Sequence, residues 1–316
     1  MVVSQSQLSR EDVLEARRRI GDAVVQTPLV QTEIDYTRHQ LKCECLQAGG
    51  SFKLRGASNR LLKLSPEERT RGVVAFSSGN HARGVAIAAR RLGMRAIIVM
   101  PSDAPSVKVE GTRAEGAEII FYDRWTESRE AIAAKIGAET GATVVPSFDD
   151  PDIVAGQGTV GLEIYDEFGA EPHAVVIPCG GGGLASGIAL ALPESRIIAV
   201  EPEGWDDMRL SLQAGEIVSV GSGAPPTLCD ALQTPRVSPI TFGIFQSRVV
   251  EVVTVNDSEV EDAVRFAWAK HRLMVEPGGA AALAGVLAGK VHLSEDAVIV
   301  LSGGNIDPAL HARIVG

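Results

Sequence analysis

Short apolar runs alternate along the chain with stretches in which apolar residues recur at helical spacing. Such runs are typical of buried strands in a parallel sheet, and the stretches between them predict amphipathic helices. The runs cover residues 73–76, 96–100, 118–122, 174–177, 196–200 and 297–301. This alternation predicts an α/β fold in which mostly parallel open sheets are covered by helices on both faces.

The spacing of the repeats also predicts two lobes. Three or four β/α units are packed between about residues 72 and 146. We expect these residues to form a small α/β domain, inserted into a larger domain made of residues 1–71 and 147–316.

Two helix starts follow from local chemistry. Ser9 with Asp12 predicts a capping box, and Ser65 followed by Pro66 predicts an N-cap with proline in the first turn. A third helix is predicted to begin near Lys53, with Ser51 as its N-cap and a strand over residues 41–46 before it.

Composition and net charge exclude some classes of function. The chain has 316 residues, of which 45% are apolar and 22% charged, and a formal net charge of −10. The composition is typical of a soluble globular protein, and the negative charge argues against nucleic acid or an anionic membrane as a partner. The polar first ten residues predict no signal peptide, and no apolar run reaches the ~18 residues of a spanning helix, so we expect a cytoplasmic protein.

The four cysteines, Cys43, Cys45, Cys179 and Cys229, are expected to be free thiols. Cys43 and Cys45 resemble half of a zinc site, but no second Cys or His pair has the spacing of the other half. Because both fall in the predicted strand, packing is the favoured interpretation.

Lys53 is the candidate nucleophile. It follows Gly49 and Gly50 and lies in the first turn of a predicted helix, where the positive end of the helix dipole disfavours an ammonium group. Partial burial would lower its pKa further and leave a reactive amine, as a Schiff-base lysine requires. The alternative is a solvated lysine on an amphipathic helix.

The glycines 180–183 follow an apolar strand and precede a helix. Successive backbone N–H groups can there converge on one anion, which predicts a phosphate site. The same run contains Gly-x-Gly-x-x-Ala, a dinucleotide fingerprint, and Glu201 ends the next strand, where a ribose ligand would be expected. A dinucleotide-binding oxidoreductase therefore stays open at this point.

Two further loops follow strands. Ser77, Ser78, Gly79, Asn80 and His81 offer hydroxyl and N–H groups to a carboxylate, and the Asn80 amide suits a phenolic oxygen. A plain helix cap is the alternative. Ser302 ends the last strand with a hydroxyl, which suits a neutral aromatic nitrogen.

An amine nucleophile, a phosphate site, a carboxylate loop and a partner for a ring nitrogen are what pyridoxal phosphate and an amino acid need. The chain resembles the fold-type II pyridoxal-phosphate enzymes of the serine/threonine dehydratase and serine racemase group, which have a tryptophan synthase β-like fold. The motifs that carry the resemblance are Thr27-Pro28-Leu29, the segment 42–47, Gly50-Ser51-Phe52-Lys53-x-Arg55-Gly56-Ala57, the segments 77–81 and 155–159, the four glycines, Glu276-Pro277 and the segment 302–305.

The resemblance implies roles for these residues. Lys53 would carry the cofactor as a Schiff base and move the α-proton, and Phe52 would pack on the cofactor ring. Asn80 would bond the phenolic oxygen and Ser302 the pyridine nitrogen. Gly180, Gly181, Gly182 and Gly183 would hold the phosphate. Ser77, Ser78, Gly79, Asn80, His81 and Arg129 would hold the substrate carboxylates or close over them.

Three positions bear on the reaction. Ser78 resembles the serine of serine racemases and hydroxyaspartate dehydratases, and a hydroxyl opposite Lys53 can deliver a proton to the other face of the α-carbon. Arg83 stands where the family usually has glutamine, and a cation there would favour a diacid. The loop after Glu201 resembles the divalent-cation loop of serine racemases, with Glu201, the Trp205 carbonyl and Asp207 as ligands for Mg²⁺, Ca²⁺ or Mn²⁺. A solvated acidic turn is the alternative.

The function we expect is removal of water and ammonia from a 3-hydroxy amino acid, L-threonine or L-serine, to give a 2-oxo acid. Serine racemisation and 3-hydroxyaspartate dehydration are the near alternatives, and β-replacement shares the fold. We expect a homodimer that acts on a small-molecule substrate.

Overall fold

The computed structural model describes residues 8–77, 79–104, 106–221, 223–293 and 297–316. Two sheets and the helices on their faces make an α/β fold, as the apolar runs predict. The strands are β1 Leu29–Ile34, β2 Thr37–Lys42, β3 Val73–Phe76, β4 Ala96–Pro101, β5 Glu118–Tyr122, β6 Thr143–Val144, β7 Ala174–Pro178, β8 Arg196–Pro202, β9 Glu251–Val255 and β10 Ala297–Val300.

The helices lie between and after these strands. They are α1 Arg10–Ile20, α2 Lys53–Leu62, α3 Pro66–Arg71, α4 Asn80–Arg91, α5 Ser106–Ala114, α6 Arg129–Thr140, α7 Pro151–Phe168, α8 Gly183–Ala191, α9 Asp207–Ala214, α10 Pro239–Arg248, α11 Asp257–His271, α12 Pro277–Leu287 and α13 Pro308–Val315. None of the helices in the described ranges combines the length and the apolar character that crossing a membrane requires.

The larger sheet has the strand order β1-β2-β10-β7-β8-β9. Only the β1–β2 pair in it is antiparallel. Alternate residues of its central strands serve opposite faces: Val175 and Ile177 pack with α7, α8 and α10, whereas Val176 packs with α11 and α12. Both faces are therefore covered, which explains why these strands are apolar throughout.

The smaller sheet has the order β5-β4-β3-β6, and all of its strands are parallel. One face packs on α2 and α4 and the other on α6. Every strand of this sheet comes from the stretch between β3 and β6 of the chain.

The capping box of Ser9 with Asp12 at the start of α1 is confirmed, and so is the Ser65 N-cap before Pro66 at the start of α3, where Glu68 completes a second box. The prediction for the segment before α2 is wrong in two respects. The strand ends at Lys42, and Glu44–Leu46 is a turn of 3₁₀ helix. The residue that precedes α2 is Phe52, without a side-chain cap, because Ser51 is used in a backbone bridge with Gly303.

All four cysteines are buried and unpaired. Contrary to the sequence prediction, Cys43 and Cys45 do not lie in a strand. They flank Glu44, the first residue of the 3₁₀ turn that follows β2. Their backbone N–H groups donate to the carbonyls of Pro28 and Leu301, so both residues belong to the packing between this turn and the large sheet.

Candidate active site

Three neighbouring strands of the large sheet, β2, β10 and β7, run parallel and end at the same edge. The chain leaving β2 leads to Lys53, the chain leaving β10 leads to Ser302, and the chain leaving β7 leads to the four glycines. Strand β3 of the small sheet contributes the segment that begins at Ser77. Together these segments line one cavity, whose walls include Phe52, Lys53, Ser77, Gly79, Asn80, His81, Arg129, the four glycines 180–183 and Ser302.

Lys53 is the first residue of α2, and its side chain reaches into this cavity. Its Nζ donates a hydrogen bond to the Ser147 carbonyl at 3.1 Å and lies 5.0 Å from the centre of the Phe52 ring. No carboxylate is bonded to the amine within the part of the chain that the structure describes. Burial lowers the pKa of Lys53 to about 8, so a sizeable share of the amine is neutral near physiological pH.

The four glycines form the turn between β7 and α8. Gly182 has a φ of +83°, in the left-handed region that favours glycine, and it is the residue that caps α8. A Cβ atom at Gly182 would also lie 2.9 Å from Met208 Cε. Because glycines have no side chains, nothing covers the N–H groups at the start of α8 on the cavity side. This is the arrangement that binds phosphate groups at helix N-termini.

Ser302 is buried beside this turn, and its hydroxyl has no hydrogen-bond partner among the described residues. The Asn80 amide, which opens α4, faces the same space. Its Nδ2 donates to Glu276 Oε1, and its Oδ1 accepts from Asn305 Nδ2 at 2.8 Å. Asn80 is thus held in one orientation by groups from the large sheet side of the cavity.

Glu276 was part of a sequence motif but had no predicted role. It precedes α12, is 2% exposed and lines the cavity. Burial raises its pKa to about 7, the nearby Asp230 adds to this, and Lys108 opposes it. The Glu-Pro pair at a helix start was the only sequence signal for this residue.

The segment from Ser77 to His81 joins β3 to α4. Ser77 Oγ accepts from the Gly79 N–H at 3.2 Å, and Gly79 lines the cavity. His81 is buried with its Nε2 2.9 Å from the Val145 carbonyl, and burial together with Lys53 lowers its pKa to about 3. The imidazole is therefore neutral. Ser78 lies outside the described residues.

Among the described residues, three cationic side chains besides Lys53 line this cavity or the one next to it. Arg129, the first residue of α6, lines the cavity, contacts the Phe76 ring at 5.6 Å and pairs with Glu130 at 2.8 Å. Lys108 of α5 also lines it and forms an ion pair with Asp230 across the mouth. Arg83 instead lines a neighbouring cavity and donates to Asn305 Oδ1 at 3.0 Å, so the expectation that Arg83 meets the substrate is not supported.

The loop after β8 carries the predicted cation ligands. Glu201 is buried, and its two oxygens accept the N–H groups of Met208 and Arg209 at 3.0 Å each. Both oxygens of Asp207 are buried and have no hydrogen-bond partner among the residues that the structure describes, and burial raises the pKa of this carboxyl to about 7. Trp205 uses its indole to bond the Pro225 carbonyl. Across the described ranges, no group of three or more His, Cys, Asp or Glu side chains is placed to hold a metal ion.

This geometry disfavours the dinucleotide interpretation. Its ribose ligand would be Glu201, but that carboxylate is buried and bonded to the start of α9. Pyridoxal phosphate fits the residues present, since the cavity offers a half-buried amine with a lowered pKa, a helix start cleared of side chains and an unbonded hydroxyl. No sequence pattern pointed to Phe148, whose ring lies against the glycine turn.

Comparison with known proteins agrees with this geometry. The chain is 42% identical to an L-threo-3-hydroxyaspartate ammonia-lyase from Saccharomyces cerevisiae, over 96% of this chain and 95% of that protein. It is 40% identical to an L-threonine ammonia-lyase from Thermotoga maritima, over 98% of this chain and 78% of that protein. The structure of maize serine racemase superposes with a TM-score of 0.92 at 36% identity, covering 97% of this chain and 96% of that one. Residues 20–303 match the model of the pyridoxal-phosphate dependent enzymes, and the chain belongs to that family.

Proposed function

We propose that this enzyme removes water and ammonia from a 3-hydroxy amino acid, with L-threonine and L-serine as the first substrates to test. The observation that carries the proposal is the Lys53 amine, whose pKa is lowered to about 8, in one cavity with the glycine turn and the Ser302 hydroxyl. The ammonia-lyases and the serine racemase to which the chain is similar support it.

Lys53 has two tasks in this proposal. Its neutral amine binds the cofactor aldehyde, and its Nζ afterwards takes the proton from the α-carbon of the substrate. The cofactor, when bound, supplies an electron-withdrawing ring that stabilises the negative charge left on that carbon. The proton that Lys53 has taken can pass to the 3-hydroxyl, which leaves as water, and one water is consumed when the C–N bond is hydrolysed, so the net products are the 2-oxo acid and ammonia.

The remaining groups orient the reactants. The N–H groups at the start of α8 would bind the phosphate, the Ser302 hydroxyl would bond the ring nitrogen, and Asn80 would bond the phenolic oxygen. Gly79, at the start of α4, would bind the α-carboxylate together with the Ser77 hydroxyl and the backbone N–H of His81, since the neutral His81 ring already donates to the Val145 carbonyl. Phe52 packs beside the ring and keeps water away from Lys53.

The test is a substrate panel of L-serine, D-serine, L-threonine and both 3-hydroxyaspartates, assayed for 2-oxo acid and for inversion at the α-carbon. We expect 2-oxo acid from at least one L-3-hydroxy amino acid and none with Lys53→Ala. Absence of 2-oxo acid from every substrate, in protein that has bound the cofactor, would contradict the proposal.

A diacid is the second candidate substrate. Lys108 and Arg129 both line the cavity in addition to Lys53, so a second carboxylate has a cation available. The similar yeast enzyme is named for L-threo-3-hydroxyaspartate. If the diacid is the substrate, Arg129→Met should lower kcat/KM for it about tenfold or more and for L-serine much less, because only the diacid loses a charge-assisted hydrogen bond.

Racemisation is a further candidate activity because Ser78 resembles the serine of the racemases. We expect Ser78→Ala to abolish any inversion of serine while leaving dehydration of the L-isomer. Equal loss of both activities would count against a second acid–base group on this residue.

The loop after β8 is proposed to bind Mg²⁺, Ca²⁺ or Mn²⁺ through Glu201, Asp207 and the Trp205 carbonyl. The two unbonded, buried oxygens of Asp207 support this, because hard cations take oxygen ligands and offset buried negative charge. Millimolar Ca²⁺ should raise the Tm of the wild type by a few degrees and leave that of Asp207→Asn unchanged. Equal shifts in both proteins would argue for nonspecific binding.

We further propose that residues 72–146 form a small domain between the parts 1–71 and 147–316 of a large one. The four buried, unpaired cysteines support a cytoplasmic location. A homodimer stays a prediction, for which sedimentation equilibrium is the direct measurement.

A further inference from the structure

One aromatic side chain lies directly on the glycine turn. A Cβ atom placed at Gly181 would come within 2.3–2.5 Å of the Cδ1, Cε1 and Cγ atoms of Phe148, and one at Gly183 would lie 3.0 Å from Phe148 Cβ. Distances this short cannot be relieved without moving the ring. Gly181 therefore has no room for a side chain where Phe148 covers it.

Phe148 belongs to the segment 145–150, which crosses from the small sheet to α7. The segment is fixed at both ends: Val145 N–H donates to the Val74 carbonyl at 2.9 Å, and Asp150 caps α7 and accepts from Arg60 Nε at 2.8 Å. Between these anchors, the Ser147 carbonyl accepts from Lys53 Nζ. The segment thus contacts both the lysine and the glycine turn.

A second cavity of about 420 Å³ borders this segment, which contributes Pro146, Ser147, Phe148 and Asp149 to its wall. It shares walls with the catalytic cavity, and the shared residues are Phe76, Arg129, Ser147, Phe148 and Thr234. The side chains of Arg236 and Asp149 line the second cavity only, and both residues are exposed, so water has access to it.

We propose that Phe148 is a positioning residue that separates the catalytic cavity from this outer cavity and holds the glycine turn in its phosphate-binding shape. The ring is apolar, so it keeps water in the outer cavity away from the Lys53 amine and from the phosphate. By covering Gly181 and Gly183 it also limits how far the turn can move. This rests on the proposed function only through binding of the cofactor at Lys53.

The separation is tested without turnover. Borohydride reduction fixes the cofactor covalently and makes it fluorescent, and acrylamide quenching then reports how freely solvent reaches it. Phe148→Ala should raise the quenching constant about twofold or more, Phe148→Leu should stay close to the wild type, and Phe121→Ala, which removes an exposed ring elsewhere in the small sheet, should have no effect. Equal quenching of Phe148→Ala and wild type would overturn the proposal.

The contact with the glycine turn is tested by a double-mutant cycle on cofactor affinity, with the Tm of the cofactor-free protein measured in parallel. Gly181→Ala should raise the Kd for pyridoxal phosphate about tenfold in the wild type and less than about threefold in Phe148→Ala, because the added methyl group then has room. The same rise in Kd in both backgrounds would show that Phe148 does not restrict the space at Gly181. If Gly181→Ala does not fold, the quenching comparison still decides.

The two proposals fail in different ways. A wild type that binds no pyridoxal phosphate contradicts the proposed function. A wild type that binds it, with quenching and affinity indifferent to Phe148, contradicts only this inference.

Discussion

Glu276 is a carboxyl group kept out of water beside Asn80, the proposed partner of the cofactor's phenolic oxygen. Its pKa, raised to about 7 mainly by burial, means that the folded protein binds a proton there which the unfolded chain has already released. Between pH 4.5 and about 7 the native state therefore holds more protons at this site than the unfolded state, and stability falls as the pH rises through that window.

Replacing Glu276 with Gln removes this titration and keeps the hydrogen-bonding shape. The free energy of unfolding of Glu276→Gln should fall less than that of the wild type between pH 5 and 7.5, by about 2 kcal/mol. Urea unfolding of the cofactor-free protein at several pH values measures this. Parallel curves for the two proteins would show that Glu276 keeps an ordinary pKa.

Among single residues, the sequence indicates those whose chemistry depends on their neighbours in the chain. Lys53 was predicted from the two glycines before it and its place in a helix turn, and the lowered pKa follows from burial as expected. Glu276 and Phe148 were missed because their partners, Asn80 and Gly181, are distant in the chain. Nothing in the residues around either position indicates that contact.

A buried ion network ties α2, the helix that carries Lys53, to α7. Arg55 is fully buried and bonds Glu44 on the 3₁₀ turn and Glu163 on α7, at 2.7 and 2.6 Å. Lys42, also fully buried, adds a bond to Glu163 at 2.8 Å. Because every charge in the network is met by an opposite one, the start of α2 is fixed two residues away from the reactive amine.

Arg55→Met keeps roughly the size of the side chain, but it leaves the buried Glu44 without a counter-ion and Glu163 with Lys42 as its remaining buried partner. We expect it to lower the free energy of unfolding by about 3–5 kcal/mol. Arg18→Met is the matched control, since Arg18 and Glu11 pair on the surface with 63% of each side chain exposed, and it should cost less than about 1 kcal/mol. Similar losses for the two variants in urea unfolding would contradict the importance of burial.

The same elements show where a local pattern misleads. The run from 41 to 46 is apolar enough to predict a strand, but the chain has to turn after Lys42 to bring α2 to the edge of the sheet. Ser51 is a good cap by type, yet it pairs with Gly303 of the segment leaving β10. In both cases a tertiary contact outweighs local preference.

For the whole molecule, side chains from the small sheet's helices meet residues of the large sheet around the cavity. Lys108 on α5 pairs with Asp230, Asn80 on α4 bonds Glu276, and Arg83 on α4 bonds Asn305. The Lys108 side chain is only 10% exposed, so its ion pair is better shielded from water than an ordinary surface pair.

Asp230→Ala removes the partner of Lys108 and should loosen α5. Amide hydrogen exchange of residues 106–114 should become about fivefold faster, as a loss of about 1 kcal/mol predicts. Glu139→Ala breaks an exposed pair with Lys135 on α6 and should leave that exchange unchanged. Unchanged exchange of α5 in Asp230→Ala would show that the ion pair does not hold it.

The alternation of strands and helices was enough to predict the α/β class, because covered parallel strands must be apolar. It could not give the strand order. The last strand, β10, lies between β2 and β7, and this insertion is what brings Lys53, Ser302 and the four glycines side by side. Strand order depends on which faces pack together in the finished molecule, and no single segment carries that information.

The central claim is that the Lys53 amine holds pyridoxal phosphate, and covalent capture tests it most directly. Wild-type protein loaded with the cofactor would be reduced with borohydride, digested and mapped by mass spectrometry. We predict the added mass on the peptide that contains Lys53 and loss of that label in Lys53→Ala. A label on another lysine, or no label in the wild type, would contradict the account.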